Sequence, residues 1–389
     1  MKVEDEHLFR QGYSGKKVKL TQRVHFSVTV AIAVALLLVV LTFLTLRAIH
    51  AEHARHIATH TLTALDAMTR MVELWERDHM RGATAMVEHP RLIELVSEVI
   101  DASGDAHKKG EALEAWLEPI YSSRGYHGHS VITPAGLIVA ASSPAFVGQK
   151  VESPAALHVI SRATREGAAM SRPIGARFNV GKRDARQPVG TLFQLACASI
   201  VREAKSIGVL CLRLDPNTSF FEILRSGQFA KTGEAYAVDR SGKLISPSRF
   251  QADLLEKRLI EEPKVGLPPI WARVPEMTAS DKLLRLAASD AQPLTAAVQA
   301  AIDVGKAGYQ EGYRDYRGTS VVGAARWLPS MDIGLVVEQD VEEAYAPYSY
   351  SLNAIVSLAG AAIVLIVVLT TMSSKSRRHI AASERRFRS

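Results

Sequence analysis

The chain has 389 residues, 47% apolar and 22% charged, and its 47 lysines and arginines against 40 aspartates and glutamates give a net charge of +7. This composition excludes a disordered chain, a collagen-like chain and a disulfide-dense miniprotein. The charge sits at the two ends: residues 1–26 hold six basic and three acidic side chains, residues 373–389 hold six and one, and everything between holds 35 and 36. A basic nucleic-acid-binding domain is therefore excluded.

In chain order, a basic tail (1–26) precedes an uncharged apolar run at 27–46, SVTVAIAVALLLVVLTFLTL, and a second run, LNAIVSLAGAAIVLIVVLTTM, occupies 352–372 before a basic tail at 373–389. About 20 residues at about 1.5 Å each cover a ~30 Å hydrocarbon core. The first run is longer than a secretory signal core and ends without a small-residue cleavage site, so it reads as an uncleaved anchor. Arg10, Lys16, Lys17, Lys19 and Arg23 before the first run, and Lys375, Arg377 and Arg378 after the second, place both termini in the cytoplasm. Residues 47–351 are then external, in the periplasm of a Gram-negative cell, and the chain is a two-pass protein of the inner membrane.

Residues 48–117 carry a helical pattern in which Leu65, Met68, Val72 and Trp75 form one apolar seam. The seam packs either on the protein's own sheet or on a second copy of the chain. From Gly125 the texture changes to short strands: SVITPAGLIVAASS, a helix at 155–164, TLFQLACASIV from Thr191 and IGVLCLRL from Ile207. The order returns after Phe229, with EAYAVDRSGKLISPS from Glu234, a helix at 293–304, then GYQEGYRDYRG, TSVVGAARWLP and IGLVVEQD. The two copies align at Pro134, Ala135 and Gly136 against Arg240, Ser241 and Gly242, where glycine supplies the turn. The expected class is α+β: two transmembrane helices flanking a long helix and two tandem PAS-like antiparallel-sheet modules.

The segments GEAYAVDRSGKLISPS (233–248) and GYRDYRGTSVVGAARWLPSMDIGLVVEQDVEEA (312–344) resemble the double Cache sensor domain of bacterial chemoreceptors, sensor histidine kinases and diguanylate cyclases. The resemblance covers about residues 48–350. It implies a distal module at about 120–217 that binds a small extracellular molecule, a proximal module at about 229–345, a homodimer, and a cytoplasmic output domain or response regulator as partner. ASERRFRS (382–389) is similar to the lead-in of a PAS domain, which favours a kinase or cyclase over a chemoreceptor and reads as the start of a longer protein; the alternative is a basic tail lying on anionic lipid. The chain itself carries no nucleotide-binding, hydrolase or cyclase motif. A non-signalling alternative is a membrane-tethered binding or assembly protein that engages a periplasmic partner.

In the resembling family the helix-to-strand junction of the distal module contributes pocket residues, and amino-acid-binding members carry Arg-x-Trp-Tyr there. This chain has Arg124, Gly125, Tyr126 and His127. The resemblance implies a ligand site of Tyr121, Arg124, Tyr126, His127 and His129, with Arg172 as a further candidate. Arg124 keeps a bidentate hold for a carboxylate. No aspartate for an α-amino group is found, so a carboxylate or other small anion is preferred over an amino acid.

Cys197 and Cys211 are the two cysteines. A hairpin turning at 202–205 sets them opposite each other, as a disulfide in an oxidising compartment or as two buried thiols. His50, His53, His56 and His60 lie just outside the first span. His56 and His60 have metal-ligand spacing, but a solvated helix face carries histidines equally well; no metal and no cofactor is assigned. Asp239, Tyr313, Asp315, Tyr316 and Arg317 are read as turn residues, and Trp327 as core.

Overall fold

A computed structural model describes residues 4–101, 106–176, 190–275, 292–304 and 307–386, with side chains of the first helix from Thr29 onward. The last residues of the PAS-like segment, 387–389, lie outside the described residues. The chain forms two compact units, Met1–Ile57 with Tyr345–Ser389, and Ala58–Ala344.

The first unit takes its helices from α1 (Glu4–Val87) and from the C-terminal helix Ala346–Arg386. Both contain stretches long and apolar enough to cross a membrane, and their leucines and valines are exposed in the isolated chain, Leu37 at 62% and Leu358 at 74%. The unit also holds an aromatic cluster: the His50 ring stacks on Tyr345 at 5.7 Å and meets Tyr348 edge-on at 5.1 Å, and His53 meets Tyr348 at 5.7 Å.

The second unit begins with the rest of α1. The expected single helix over 48–117 is instead three. His89 caps α2 (Pro90–Ile100), accepting from the Arg91 amide with Pro90 in the first turn, and α3 (Ala106–Ser123) follows. Proline at this position cannot continue α1 but suits a helix start.

The distal sheet is built from β1 (Gly128–Ile132), β2 (Ile138–Ala141), β3 (Ala168–Met170), β4 (Ile174–Gly175), β5 (Leu192–Arg202) and β6 (Lys205–Leu214), with α4 (Pro154–Glu166) between β2 and β3. Its order is β2-β1-β6-β5-β3, with β4 pairing β5. After α5 (Phe220–Ser226) the proximal sheet uses β7 (Glu234–Val238), β8 (Gly308–Arg314), β9 (Ser320–Leu328) and β10 (Ile333–Asp340), with α6 (Gln251–Glu256) and α7 (Ala296–Val304) inserted after β7. Its order, β7-β10-β9-β8, is the distal order without β2. A single four-residue helix, α8 (Val341–Ala344), leads to α9 (Ala346–Arg386).

The internal repeat extends to backbone geometry. The Gly136 amide donates to Thr133 and the Thr133 amide to Leu137; in the second copy Gly242 donates to Asp239 and Asp239 to Lys243. Gly136 and Gly242 have φ of 81° and 82°, a region glycine enters without steric cost. Asp239 and Asp315 do turn chemistry: Asp239 Oδ1 accepts from the Ser241 and Lys243 amides, and Asp315 Oδ1 from the Arg317 and Thr319 amides. Trp327 is 5% exposed and belongs to the core.

Each sheet is covered on both faces. Leu65, Met68 and Val72 of α1 pack with Phe220, Phe221 and Leu224 on one face of the proximal sheet, while Ala83, Met86 and Val87 join α2 and α3 on one face of the distal sheet. Those turns of the seam are thus spent on the protein's own core, each large apolar side chain contributing about 1.5–3 kcal/mol. Met71 and Leu74 remain exposed on the outer side of α1.

Candidate functional site

Side-chain alternation divides the distal sheet. Val131, Ala196, Ala198, Ile200, Leu210, Leu212 and Leu214 face the helical layer, whereas Ile132, Cys197, Val209 and Cys211 face α4 with Val159, Ile160 and Ala163. On this second face lies a cavity of about 150 Å³, the size that takes a benzene-sized molecule. Its walls are apolar, from Ile132, Ile138, Ala156, Ile160 and Leu195, with Ser130, Ser142, Gln149 and Ser153 as neutral polar groups and Lys150 and Glu152 exposed at the rim.

Arg213 is the charged side chain set into this apolar wall. It shares the face of Cys211 because it is two residues along β6. One Nη2 hydrogen donates to the His127 carbonyl at 2.8 Å. Among the described residues it has no carboxylate partner. Arg213 is half-buried; burial pulls its pKa below the ordinary arginine value, Tyr121 opposing, and the guanidinium keeps its charge. Gly128 makes room for the arrangement: a Cβ there would collide with Ser142 Oγ and touch Arg213 Nη2 at 3.4 Å.

Of the residues chosen from sequence, His129 alone borders this cavity. Tyr121 and Tyr126 are 1% and 3% exposed within the helix-side core, on the opposite face of the sheet. Tyr121 donates to Glu114 Oε1 at 2.8 Å, His129 Nδ1 lies 2.9 Å from Glu114 Oε2, and the Tyr126 hydroxyl meets His79 Nδ1 at 2.9 Å. Burial, reinforced by Glu114, raises the Tyr121 pKa, and burial pushes Tyr126 up to about 12; both stay protonated donors. Burial also lowers the His79 pKa, against the charge of Asp78. His129 borders the cavity by its backbone position, with its imidazole turned to Tyr121. Arg124 and His127 are exposed, and Arg172 Nη1 points to Asp332 at 3.7 Å. The structure therefore brings Tyr121 and His129 together around Glu114, and Tyr121, Arg124, Tyr126, His127 and Arg172 do not line the cavity. Arg213 was missed, although a lone charge inside the apolar run IGVLCLRL was its signal.

The cavity wall is tied to the proximal module. Helix α4, which supplies Ala156 and Ile160, also carries Arg162, whose Nη1 donates to the Ser330 carbonyl in the turn between β9 and β10. Ser330 Oγ donates to Glu76 Oε2 of α1 at 2.7 Å, and burial raises the Glu76 pKa against that bond and the Arg162 charge. Asp332, two residues on, accepts from Arg240 Nε at 2.8 Å and faces Arg172.

Cys197 and Cys211 are bonded across β5 and β6. Glu203 and Ala204 occupy the two-residue turn with φ of 52° and 61°. Arg202 then pairs with Lys205 and Val201 with Ser206, but Ile200 pairs with Gly208, so Ile207 is an extra residue. That bulge sets Cys197 opposite Cys211; without it Cys197 would face Leu210. Among the described residues no group of three or more histidine, cysteine or acidic side chains is placed to hold a metal.

No protein-family model and no curated protein matches the chain. Solved structures are similar to it. The sensor domain of the V. cholerae histidine kinase DctB matches over 74% of this chain and 98% of its own, with 14% identity and a TM-score of 0.44. The ligand-binding domain of the Campylobacter jejuni chemoreceptor Tlp3, solved with 4-methylisoleucine, matches over 75% and 94%, with 9% identity and a TM-score of 0.45. The periplasmic domain of RsbU from Chlamydia trachomatis matches over 76% and 96%, with 12% identity and a TM-score of 0.43.

Proposed function

We propose that the chain is the input region of a two-pass membrane receptor, both termini cytoplasmic, whose distal module binds a small molecule bearing a carboxylate or another compact anionic group. One observation carries the ligand class: an arginine with no carboxylate partner among the described residues, Arg213, set in the apolar wall of a 150 Å³ cavity. A half-buried cation loses part of its hydration, and an anion seated beside it recovers that cost through charge-assisted hydrogen bonds. The inner volume of about 150 Å³ accommodates a group of about six heavy atoms. Occupancy acts by favouring one arrangement of the unit over another. The contacts from α4 and Arg172 to the β9–β10 turn supply a route to the proximal module, and the output is a cytoplasmic kinase or cyclase, with the receptor acting as a homodimer.

The test is calorimetry on the full chain in lipid nanodiscs with short mono- and dicarboxylates as probes. A ligand at 100 times its Kd should stabilise the protein by about 2.7 kcal/mol. Arg213→Ala should lose about 10- to 100-fold in affinity, the scale of a hydrogen bond to a charged group, while Arg124→Ala should bind as the wild type does. Equal affinity of wild type and Arg213→Ala for a carboxylate that binds would sink the assignment.

A further inference from the structure

The proximal sheet buries more negative charge than its surroundings neutralise. Glu234 of β7 and Glu338 of β10 are direct cross-strand partners, at 1% and 2% exposure. Paired residues in a sheet hold their Cβ atoms about 4.5–5.5 Å apart, and like charges there repel. Among the described residues the donors to the two side chains are neutral: Glu234 Oε2 accepts from the Tyr316 hydroxyl at 2.7 Å, Glu234 Oε1 from the Arg249 amide at 2.7 Å, and Glu338 Oε1 from the Tyr313 hydroxyl at 2.6 Å, with the Ser248 and Tyr236 hydroxyls beside them. Glu338 Oε2 and the Tyr236 hydroxyl are buried on the same face.

The neighbouring cations are committed elsewhere. Arg317 bonds Asp315 at 2.5 Å and Asp340 at 2.6 Å, and the Arg249 guanidinium caps the carbonyls of Gly233 and Ala230. Asp315 is itself fully buried, so it adds negative potential at Glu338. On β8, Tyr309 and Tyr313 are the titratable groups facing inward, and α7 presents Ala297, Val298 and Ala301. β9 contributes Gly323 opposite Glu338 and Ala325 beside it. Among the described residues no ion pair reaches Glu234 or Glu338.

We propose that Glu338 and Glu234 form a proton-binding site, a second input in the proximal module that is separate from the distal cavity. The Arg317 charge acts on Glu234 without an ion pair, and two sealed carboxylates set across a ladder with no ion-pair partner among the described residues are stable only when at least one holds a proton. Releasing it places two negative charges across the β7–β10 ladder, and β10 is the strand that continues in the chain into α8 and α9. Burial first, then the Asp315 charge, pushes Glu338 up to about 8, and burial also raises Glu234. The folded chain therefore holds a proton that the unfolded chain has released above the ordinary carboxylate value of 4.5. Stability must fall as pH rises from about 4.5 to about 8 and then level off.

The experiment uses the full chain in nanodiscs, with protons as the probe, from pH 5.5 to 9. Infrared difference spectra should show a protonated-carboxyl C=O band at low pH that is lost as pH passes through about 8. Over the same range, hydrogen exchange corrected for intrinsic rate should accelerate at least tenfold in β10. Glu338→Gln, a neutral isostere of the protonated acid, should remove both changes and keep β10 protected at pH 9. Glu234→Gln should shift the transition to lower pH, and it serves as the second variant if Glu338→Gln folds poorly. Asp303→Asn, on the exposed side of α7, should behave as wild type. The proposal is overturned if wild type shows no pH-dependent carboxyl band, or if the band and the β10 exchange titrate unchanged in both glutamine variants.

Discussion

Gly323→Ala is expected to destabilise the proximal module by about 3 kcal/mol, the upper end for overpacking a filled core. A Cβ at this position in β9 would overlap the Tyr313 hydroxyl, lie 2.7 Å from Glu338 Cγ and sit 3.0 Å from the Val337 carbonyl. The tyrosine can swing away only by releasing its bond to Glu338, which leaves a buried carboxyl short of a donor. The backbone oxygen cannot move without disturbing the β9–β10 ladder. Gly308→Ala is the matched control, because the nearest atom to its new methyl is the Ala300 Cβ at 3.9 Å. Urea titrations followed by hydrogen exchange in β9 and β10 should show a lowered midpoint for Gly323→Ala alone. Equal midpoints for the two variants would mean that the close packing around Gly323 is wrong.

The second large effect belongs to the distal module. Cys197→Ala/Cys211→Ala, or reduction of the wild type, should cost about 3 kcal/mol, the contribution of closing a loop of this length in the unfolded chain. The two sulfurs join residues 14 apart in sequence. The loss should appear in the exchange of β5 and β6 and leave β9 and β10 protected as before, since the bridge lies within one sheet. Alanine is the appropriate replacement because Cys197 and Cys211 are 0% and 1% exposed among apolar neighbours. A denaturation midpoint unaffected by reductant would exclude any stabilising role for the bridge.

Features governed by local physics were legible before the structure. The apolar runs, the turns at Gly136 and Gly242, and the strand alternation are short-range properties; the runs fall within α1 and α9, and the turns and strands within the two modules. The α1 seam was also visible, but not what covers it. Period alone shows that Leu65, Met68 and Val72 share a face; only the positions of Phe220, Phe221 and Leu224, some 150 residues on, show what that face meets. The break at Pro90 was visible as a proline, although helical composition on both sides concealed it.

The candidate site was less legible, for a reason that Tyr121, Tyr126 and Arg213 make plain. The two tyrosines cluster near His129 in sequence, but they fill the helical side of the sheet, where Glu114 and His79 take their hydroxyls. Arg213 is 84 residues from His129 in the chain, yet the β1–β6 register sets it opposite Gly128. The paired carboxylates are equally remote: Glu234 and Glu338 are separated by 104 residues and meet only because β7 and β10 are neighbours.

From the sequence by itself follow two long apolar runs with basic flanks, a repeated α+β module and one possible cysteine pair, because hydropathy, charge and turn chemistry are read over a few residues at a time. The tertiary structure alone decided which face of the distal sheet holds the cavity, which arginine borders it and which acids lie across a ladder from one another. Those outcomes depend on strand order and register, where one bulged residue at Ile207 changes which side chains meet.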